Sequence, residues 1–209
     1  MTKTSRFTLL IFLLSIFSYG CSNKLYVGKY HQGGVIFFLE DNGKHGLVCA
    51  INDLENPLRW DPDSVCNTDA LSDNIYSGIQ NIRRIISILD STDKDKMYAA
   101  KACQEYTFTD NKRTYNDWYL PSRIEMALIC ANQNLINETA LKHNGTILMK
   151  SSKIGYWTST EYCKCKTVKC NCKPHICGDA LIIDFSKASC TMFAAHKNHL
   201  HLVRPIRKF

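Results

Sequence analysis

The sequence predicts an α+β domain, because strand patterns occupy both ends of the chain and helical periodicity occupies its middle. A glycine-led apolar run predicts a strand at 33–39, and the turn residues Asp41-Asn42-Gly43 lead to a partner strand at 46–51. We expect strands from the two ends of the chain to pair. The strands predicted after residue 150 are 180–185, 191–195 and 200–206.

Three helices are predicted between these strands. The first covers 79–89, where isoleucine and leucine recur at helical spacing, and the second covers 97–106 after a charged first turn. The third covers 122–135. Its start carries a capping box, in which the Ser122 hydroxyl accepts a backbone N–H and the Glu125 carboxylate reaches back to the cap. Both residues are therefore predicted to be structural anchors.

Two short clusters, 116–122 and 155–161, each place a tryptophan beside a tyrosine. We interpret Trp118 and Trp157 as buried anchors of a loop-rich core. The hydroxyls of 158–160 are expected to bond local backbone, and a nucleophile there is the alternative. The chain has no G-x-S-x-G, H-E-x-x-H, P-loop or dinucleotide motif, so neither enzyme activity nor a cofactor is expected.

The start of the chain predicts export. Lys3 and Arg6 precede an apolar run at 7–17, which has the length of a signal-peptide core and is short for a membrane span. Gly20-Cys21 then resembles a lipobox, so Cys21 is expected to carry membrane lipid at the outer membrane or cell surface. An ordinary secretory signal and a retained anchor are the alternatives. The expected division is signal peptide 1–20, tether 21–26 and a single domain 27–209.

The chain contains eleven cysteines, and ten remain when Cys21 is assigned to lipid. An even number in an exported protein favours disulfides over redox chemistry. The disulfide candidates are Cys49, Cys66, Cys103, Cys130, Cys163, Cys165, Cys170, Cys172, Cys177 and Cys190.

Half of these cysteines lie in a cysteine-rich segment, 162–177. We interpret it as a disulfide-stapled loop, with metal binding or free thiols as alternatives. His196, His199 and His201 are interpreted as polar strand or loop histidines, although His199 and His201 would share a face of a strand. No metal site is therefore predicted.

Positive charge is concentrated at the end of the chain. Residues 150–209 contain eleven Lys/Arg and three Asp/Glu, whereas 1–149 contain fifteen and sixteen. Such a concentration attracts polyanions, and export disfavours nucleic acid as the partner. A basic solvated face without a ligand is the alternative. The candidate ligand-binding residues are Lys150, Lys153, Lys164, Lys166, Lys169, Lys173, Lys197, Arg204 and Arg207.

Several motifs occur in an order typical of one known family. They are 33–37, 45–48, 116–122 with Glu125, 156–161 and 203–207. Together they resemble the Lcl C-terminal domain family, named for the Legionella collagen-like adhesin, over nearly all of 27–209. The resemblance implies a C-type lectin-like domain whose terminal strands come together and whose long loops carry recognition. It also implies binding of sulfated glycosaminoglycans, the ligand of the family's best-understood member.

The sequence thus predicts an exported lipoprotein with a lectin-like ligand-binding domain, an adhesin for sulfated glycans or other acidic surface polymers. One alternative is a structural lipoprotein that self-associates as a homo-oligomer without binding glycans. A less favoured alternative is an enzyme that is metal-dependent or similar to formylglycine-generating enzymes, which share the lectin-like fold class.

Overall fold

The computed structural model describes residues 24–63, 67–163, 177–187 and 189–209. Over these residues the chain has four α-helices and several antiparallel sheets, which confirms the predicted α+β class. The strands are β1 Tyr30–His31, β2 Gly34–Glu40, β3 His45–Ala50, β4 Phe108–Asp110, β5 Arg113–Tyr115, β6 Tyr156–Tyr162, β7 Asp179–Asp184, β8 Thr191–His196 and β9 Ile206–Lys208. The helices are α1 Ser77–Asp93, α2 Ala99–Glu105, α3 Arg123–Ala131 and α4 Gln133–Lys142.

The first sheet joins the two ends of the domain. Its order is β1-β2-β3-β9, so the last strand pairs with β3, as the sequence predicts. Alternate residues of β2 face opposite sides: Val35 and Phe37 enter the main core, while Ile36 packs with Trp118 in a second cluster. Because both faces are buried, both β2 and β3 read as continuous apolar runs.

The turn between β2 and β3 is a 3-10 turn at Asp41–Gly43, as expected from its residue types. All three residues have positive φ, a conformation that aspartate, asparagine and glycine adopt more readily than other residues.

The third predicted helix is divided into α3 and α4. Asn132 between them has φ −110° and ψ 13°, which breaks the helical path. Its side-chain amide donates to the carbonyl oxygens of Leu128, at 2.9 Å, and Phe37, at 3.3 Å. The Asn132 side chain therefore links the end of α3 to Phe37 of β2, which is a tertiary contact.

The second sheet has the order β6-β7-β8, and the 155–161 tryptophan cluster forms most of its first strand. The prediction of a strand over 200–206 is wrong for most of its length. His201 exchanges backbone hydrogen bonds with Leu58, whereas the Leu202 carbonyl accepts from the Trp157 N–H. Because neighbouring residues pair with different segments, and Pro205 lacks an N–H, no ladder forms before β9.

Candidate functional site

The tryptophans of both clusters lie inside the molecule. Trp118 is 2% and Trp157 0% exposed, and their indole N–H groups donate to the carbonyl oxygens of Tyr115 at 3.0 Å and Leu58 at 2.8 Å. The third tryptophan, Trp60, is 1% exposed and was not singled out in the sequence. These indoles cross-link loops to the sheets and present no accessible ring.

The capping box is present at the start of α3. The Ser122 N–H donates to Glu125 Oε2 at 2.6 Å, and the Glu125 N–H donates to Ser122 Oγ at 3.4 Å. Glu125 Oε1 also accepts from the Tyr119 hydroxyl at 2.9 Å and the Tyr76 N–H at 2.8 Å. Burial raises the pKa of this carboxyl, although its hydrogen bonds oppose the shift. Glu125 thus holds two loops against one helix end.

The hydroxyls of 158–160 bond mainly to segments distant in sequence, so the expectation of local backbone partners is wrong for most of them; the local bond runs from the Thr160 N–H to Thr158 Oγ1 at 3.2 Å. Thr158 Oγ1 donates to the Leu181 carbonyl at 2.9 Å, and Thr160 Oγ1 donates to the Ser72 carbonyl at 3.2 Å. Ser159 Oγ accepts from Asn81 Nδ2 at 3.2 Å. Each hydroxyl is engaged in holding β6 to its neighbours.

Three of the candidate polyanion ligands are buried, which corrects the expectation for them. Lys197 and Arg204 are 0% exposed and Arg207 is 6% exposed. Each has a carboxylate partner: Glu161 for Lys197, Asp53 for Arg204 at 2.6 Å, and Asp117 for Arg207 at 2.5 Å. A buried, neutralised head group does not meet a polymer in solution, so these three cations form internal ion pairs instead.

The remaining candidate cations lie elsewhere. Lys150 and Lys153 are exposed in the segment that precedes β6. Four others, which we call the loop lysines, lie outside the described residues: Lys164, Lys166, Lys169 and Lys173.

Two disulfides are formed between described cysteines. Cys130 at the end of α3 is bonded to Cys190 before β8, and Cys163 is bonded to Cys177. Cys49 and Cys103 are free and buried, so the prediction that they form disulfides is wrong. Both thiols lie in the apolar core, where burial raises the pKa of Cys49 to about 12 and that of Cys103 well above its ordinary value. The other disulfide candidates, Cys66, Cys165, Cys170 and Cys172, lie outside the described residues, as does the lipidation candidate Cys21.

The histidine group is not drawn together as a metal site within the described residues. The ring centroids are 5.8 Å apart for His196 and His199, and 6.4 Å apart for His199 and His201. His201 packs edge-on against Trp157, and its Nδ1 accepts from the Gly155 N–H at 3.2 Å. Burial lowers its pKa to about 4, so the ring is neutral at physiological pH.

A cavity of about 740 Å³ lies at the end of β6, and we call it the strand-end pocket. Its walls come from segment 67–73, from Arg123 at the start of α3, from Thr160–Tyr162, from the Cys163–Cys177 disulfide and from Leu181. The size is in the range of small-molecule sites. Cys163 and Cys177, the described residues that flank 164–176, therefore lie at the wall of an open cavity.

Backbone contacts hold segment 67–73 against β6. The Glu161 N–H donates to the Ala70 carbonyl at 2.8 Å, and the Thr68 N–H donates to Glu161 Oε1 at 3.1 Å. Arg123 binds Asp73 through two hydrogen bonds, of 2.8 Å and 2.6 Å, to the same oxygen. These contacts give the pocket fixed walls.

Glu161 is the most unusual residue of the pocket. Its side chain and that of Lys197 are both 0% exposed and form an ion pair, and the Lys197 ammonium lies 4.5 Å from the Trp60 ring centroid. Glu161 Oε2 is buried and has no hydrogen-bond partner among the described residues. Buried polar atoms almost always have a hydrogen-bond partner, so this oxygen is an exception among the described residues.

The Glu161 carboxylate also lies near the disulfide sulfurs. Its oxygen and the Sγ atoms of Cys163 and Cys177 are within 4.8 Å of one another, a grouping that could hold a metal ion. The two sulfurs are bonded to each other, however, and a disulfide does not supply the thiolate ligands that zinc requires. The donor set as it stands does not fit a metal.

The sequence did not single out Glu161, Asp73 or Arg123 as functional residues. Arg123 lies inside the capping-box motif and Glu161 inside the second tryptophan cluster, so both were included in the scaffold. Their grouping depends on a fold that brings segment 67–73 to the end of β6.

No family model and no curated protein matches this chain. The resemblance to the Lcl C-terminal domain family therefore stays a prediction. Among the helices of the described ranges, none combines the length and the hydropathy that a membrane crossing requires.

Proposed function

We propose that this chain is an exported lipoprotein, anchored through Cys21, whose single lectin-like domain binds an acidic surface polymer such as a sulfated glycan. The observation that carries the proposal is the Cys163–Cys177 disulfide, which closes a chain segment containing all four loop lysines. Closing the segment reduces its conformational freedom, so less entropy is lost when its lysines bind a polymer.

The distribution of charge supports the same region. Lys197, Arg204 and Arg207 are neutralised inside the fold, by Glu161, Asp53 and Asp117. The basic residues that remain available include the exposed Lys150 and Lys153, which lie close in sequence to the loop lysines. Attraction of a polyanion to such a group is strong at low salt and is screened as salt rises.

Heparin-affinity chromatography of the mature protein tests the proposal. We expect retention at low salt and elution at raised salt, because the contact is electrostatic. Replacing all four loop lysines with alanine (K164A/K166A/K169A/K173A) is expected to abolish most of the retention. The matched control removes four exposed lysines elsewhere, K44A/K94A/K112A/K142A, which has the same net charge.

The control variant should elute close to the wild type. Equal losses in the two variants would mean that net charge alone governs retention. Absence of retention in the wild type at low salt would refute the polyanion proposal.

Mass spectrometry of the mature N-terminus tests the lipid anchor. A diacylated Cys21 is expected, and an unmodified cysteine would contradict the proposal that the protein is a lipoprotein.

Self-association is the second candidate, and exposed apolar side chains favour it. Leu141, Ile147 and Met149 are 59%, 47% and 44% exposed, and the last two line a groove of about 710 Å³. Exposed apolar groups that lie close together are typical of protein contacts. Light scattering distinguishes the candidates. An oligomer that dissociates in the charge-neutral variant I147S/M149S, while this variant elutes normally from heparin, supports self-association as a separate property.

A further inference from the structure

We propose that a cleft bounded by α1, α2 and β9 binds a small organic oxyanion, such as a carboxylate, a sulfate ester or a phosphate ester. We call it the α1 cleft. Its volume is about 340 Å³, and its exposed lining residues are Arg83, Gln104, Asn116, Asp117 and Lys208. The cleft shares no residue with the loop lysines, so this proposal does not depend on polyanion binding.

Two of the lining residues are cations without an acidic partner. Neither the Arg83 guanidinium nor the Lys208 ammonium forms an ion pair with a carboxylate of the described ranges. The Lys208 ammonium lies 4.5 Å from the centroid of the Tyr76 ring. A cation–π contact of this kind restrains the ammonium without neutralising its charge. Both cations are therefore available to a bound anion.

The carboxylate that lines the cleft is already neutralised. Asp117 Oδ1 accepts from Arg207 Nε at 2.5 Å, and Asp117 Oδ2 accepts from Arg207 Nη2 at 3.0 Å. Because Arg207 is only 6% exposed, its charge is directed to Asp117 and not to the solvent. This pair adds no net charge, so Arg83 and Lys208 give the cleft a positive excess. Such an excess attracts an anion and repels a cation.

The other walls suit the oxygens and the organic part of such an anion. Gln104 and Asn116 are exposed, and their side-chain amides can donate hydrogen bonds to oxygen atoms. Ile79 is partly exposed and supplies apolar surface, whereas Trp118 and Tyr119 are each 2% exposed. Small-molecule sites combine apolar walls with a few polar groups, and this cleft lies at the lower end of their size range. The ligand is therefore expected to be small.

Two-dimensional ¹⁵N–¹H NMR of the full mature protein tests the cleft, with propanoate, methyl sulfate and methyl phosphate as probes. We expect at least one of them to bind, to shift the side-chain amide signals of Gln104 and Asn116, and to bind less tightly as salt rises. The order of the three affinities identifies the oxyanion that fits best. Propanamide, which has the shape of propanoate without its charge, and propylammonium should not bind.

The double variant R83Q/K208Q removes both charges and keeps polar side chains. It should weaken binding by roughly tenfold or more, as expected for the loss of two charge-assisted contacts. The matched control R84Q/K94Q removes two exposed cations that do not line the cleft, and it should bind as the wild type does. Asn116→Trp, which fills the cleft from an exposed position and keeps both cations, should also lose binding.

Four results would overturn the proposal. They are failure of all three anions to bind, equal affinity in the wild type and R83Q/K208Q, equal losses in R83Q/K208Q and R84Q/K94Q, and binding of propanamide as tight as that of propanoate. Heparin retention of R83Q/K208Q should match that of R84Q/K94Q, because both variants keep every loop lysine. Failure of the α1 cleft and failure of polyanion binding are thus seen in different assays.

Discussion

Replacing Arg204 with methionine should destabilise the fold without altering polyanion binding. Arg204 is 0% exposed and its Nε donates to Asp53 Oδ1 at 2.6 Å. Its other nitrogens donate to the carbonyl oxygens of Ala50 at 3.0 Å, Thr146 at 3.2 Å and Ile147 at 3.3 Å. One guanidinium thus joins the end of β3 to the chain after α4, and methionine leaves all of these acceptors without it.

The size of the effect follows from burial. Removing one partner of a buried ion pair costs about 3–5 kcal/mol, because the other charge stays behind uncompensated. A domain of this kind has a total stability of about 5–15 kcal/mol. With a denaturant dependence of about 2 kcal/mol per molar urea, a loss of about 4 kcal/mol lowers the unfolding midpoint by about 2 M.

Urea unfolding followed by tryptophan fluorescence measures this shift. The control is Arg84→Met, an exposed position on α1, which should change stability by less than about 0.5 kcal/mol. The double variant D53N/R204M should lose less stability than the losses of D53N and R204M added together. The reason is that the Asp53 carboxylate, which R204M leaves without a partner, is absent from the double variant. An R204M midpoint equal to that of R84M, or a selective loss of heparin retention in folded R204M, would refute the structural role.

Other predictions concern protonation and cysteine chemistry. The pKa of His201 is about 4 when folded and about 6.5 when unfolded, so the unfolded chain gains the proton first. The free energy of unfolding should therefore fall by roughly 2–3 kcal/mol as the pH drops from 6.5 to 4.5. The H201Q variant, measured in the same way, should lack this part of the pH dependence. Removing the Cys130–Cys190 bond, which spans 60 residues, by double serine substitution should cost roughly 4 kcal/mol in the same urea assay. Cys49 and Cys103 should resist iodoacetamide until denaturant is added; rapid labelling of either in the native protein would contradict their burial.

Local patterns were sufficient to predict much of the fold. The β2–β3 hairpin follows from an apolar run on each side of Asp41-Asn42-Gly43, and the start of α3 follows from Ser122 and Glu125, three residues apart. The break at Asn132 was not predictable in the same way, because one of its side-chain hydrogen bonds goes to Phe37, 95 residues earlier.

The ionic contacts were the least predictable part of the candidate site. Lys197 lies 36 residues from Glu161 in sequence, Arg207 lies 90 from Asp117, and Arg204 lies 151 from Asp53. Periodicity and spacing carry no information over such distances. A group of cations close together in sequence therefore predicts a basic surface, whereas Lys197, Arg204 and Arg207 are buried in ion pairs. One available signal was position: Arg204 and Arg207 flank Pro205-Ile206 beside a strand that was expected to pair with the start of the domain.

The salt dependence of heparin binding tests most directly whether the loop lysines form the polyanion contact. The dissociation constant of a fluorescent heparin oligosaccharide would be measured at several salt concentrations for the wild type, K164A/K166A/K169A/K173A and K44A/K94A/K112A/K142A. We predict that the loop variant binds weakly with little dependence on salt, while the control keeps the affinity and steep dependence of the wild type. Identical curves for the two variants would show that the stapled loop is not the binding site.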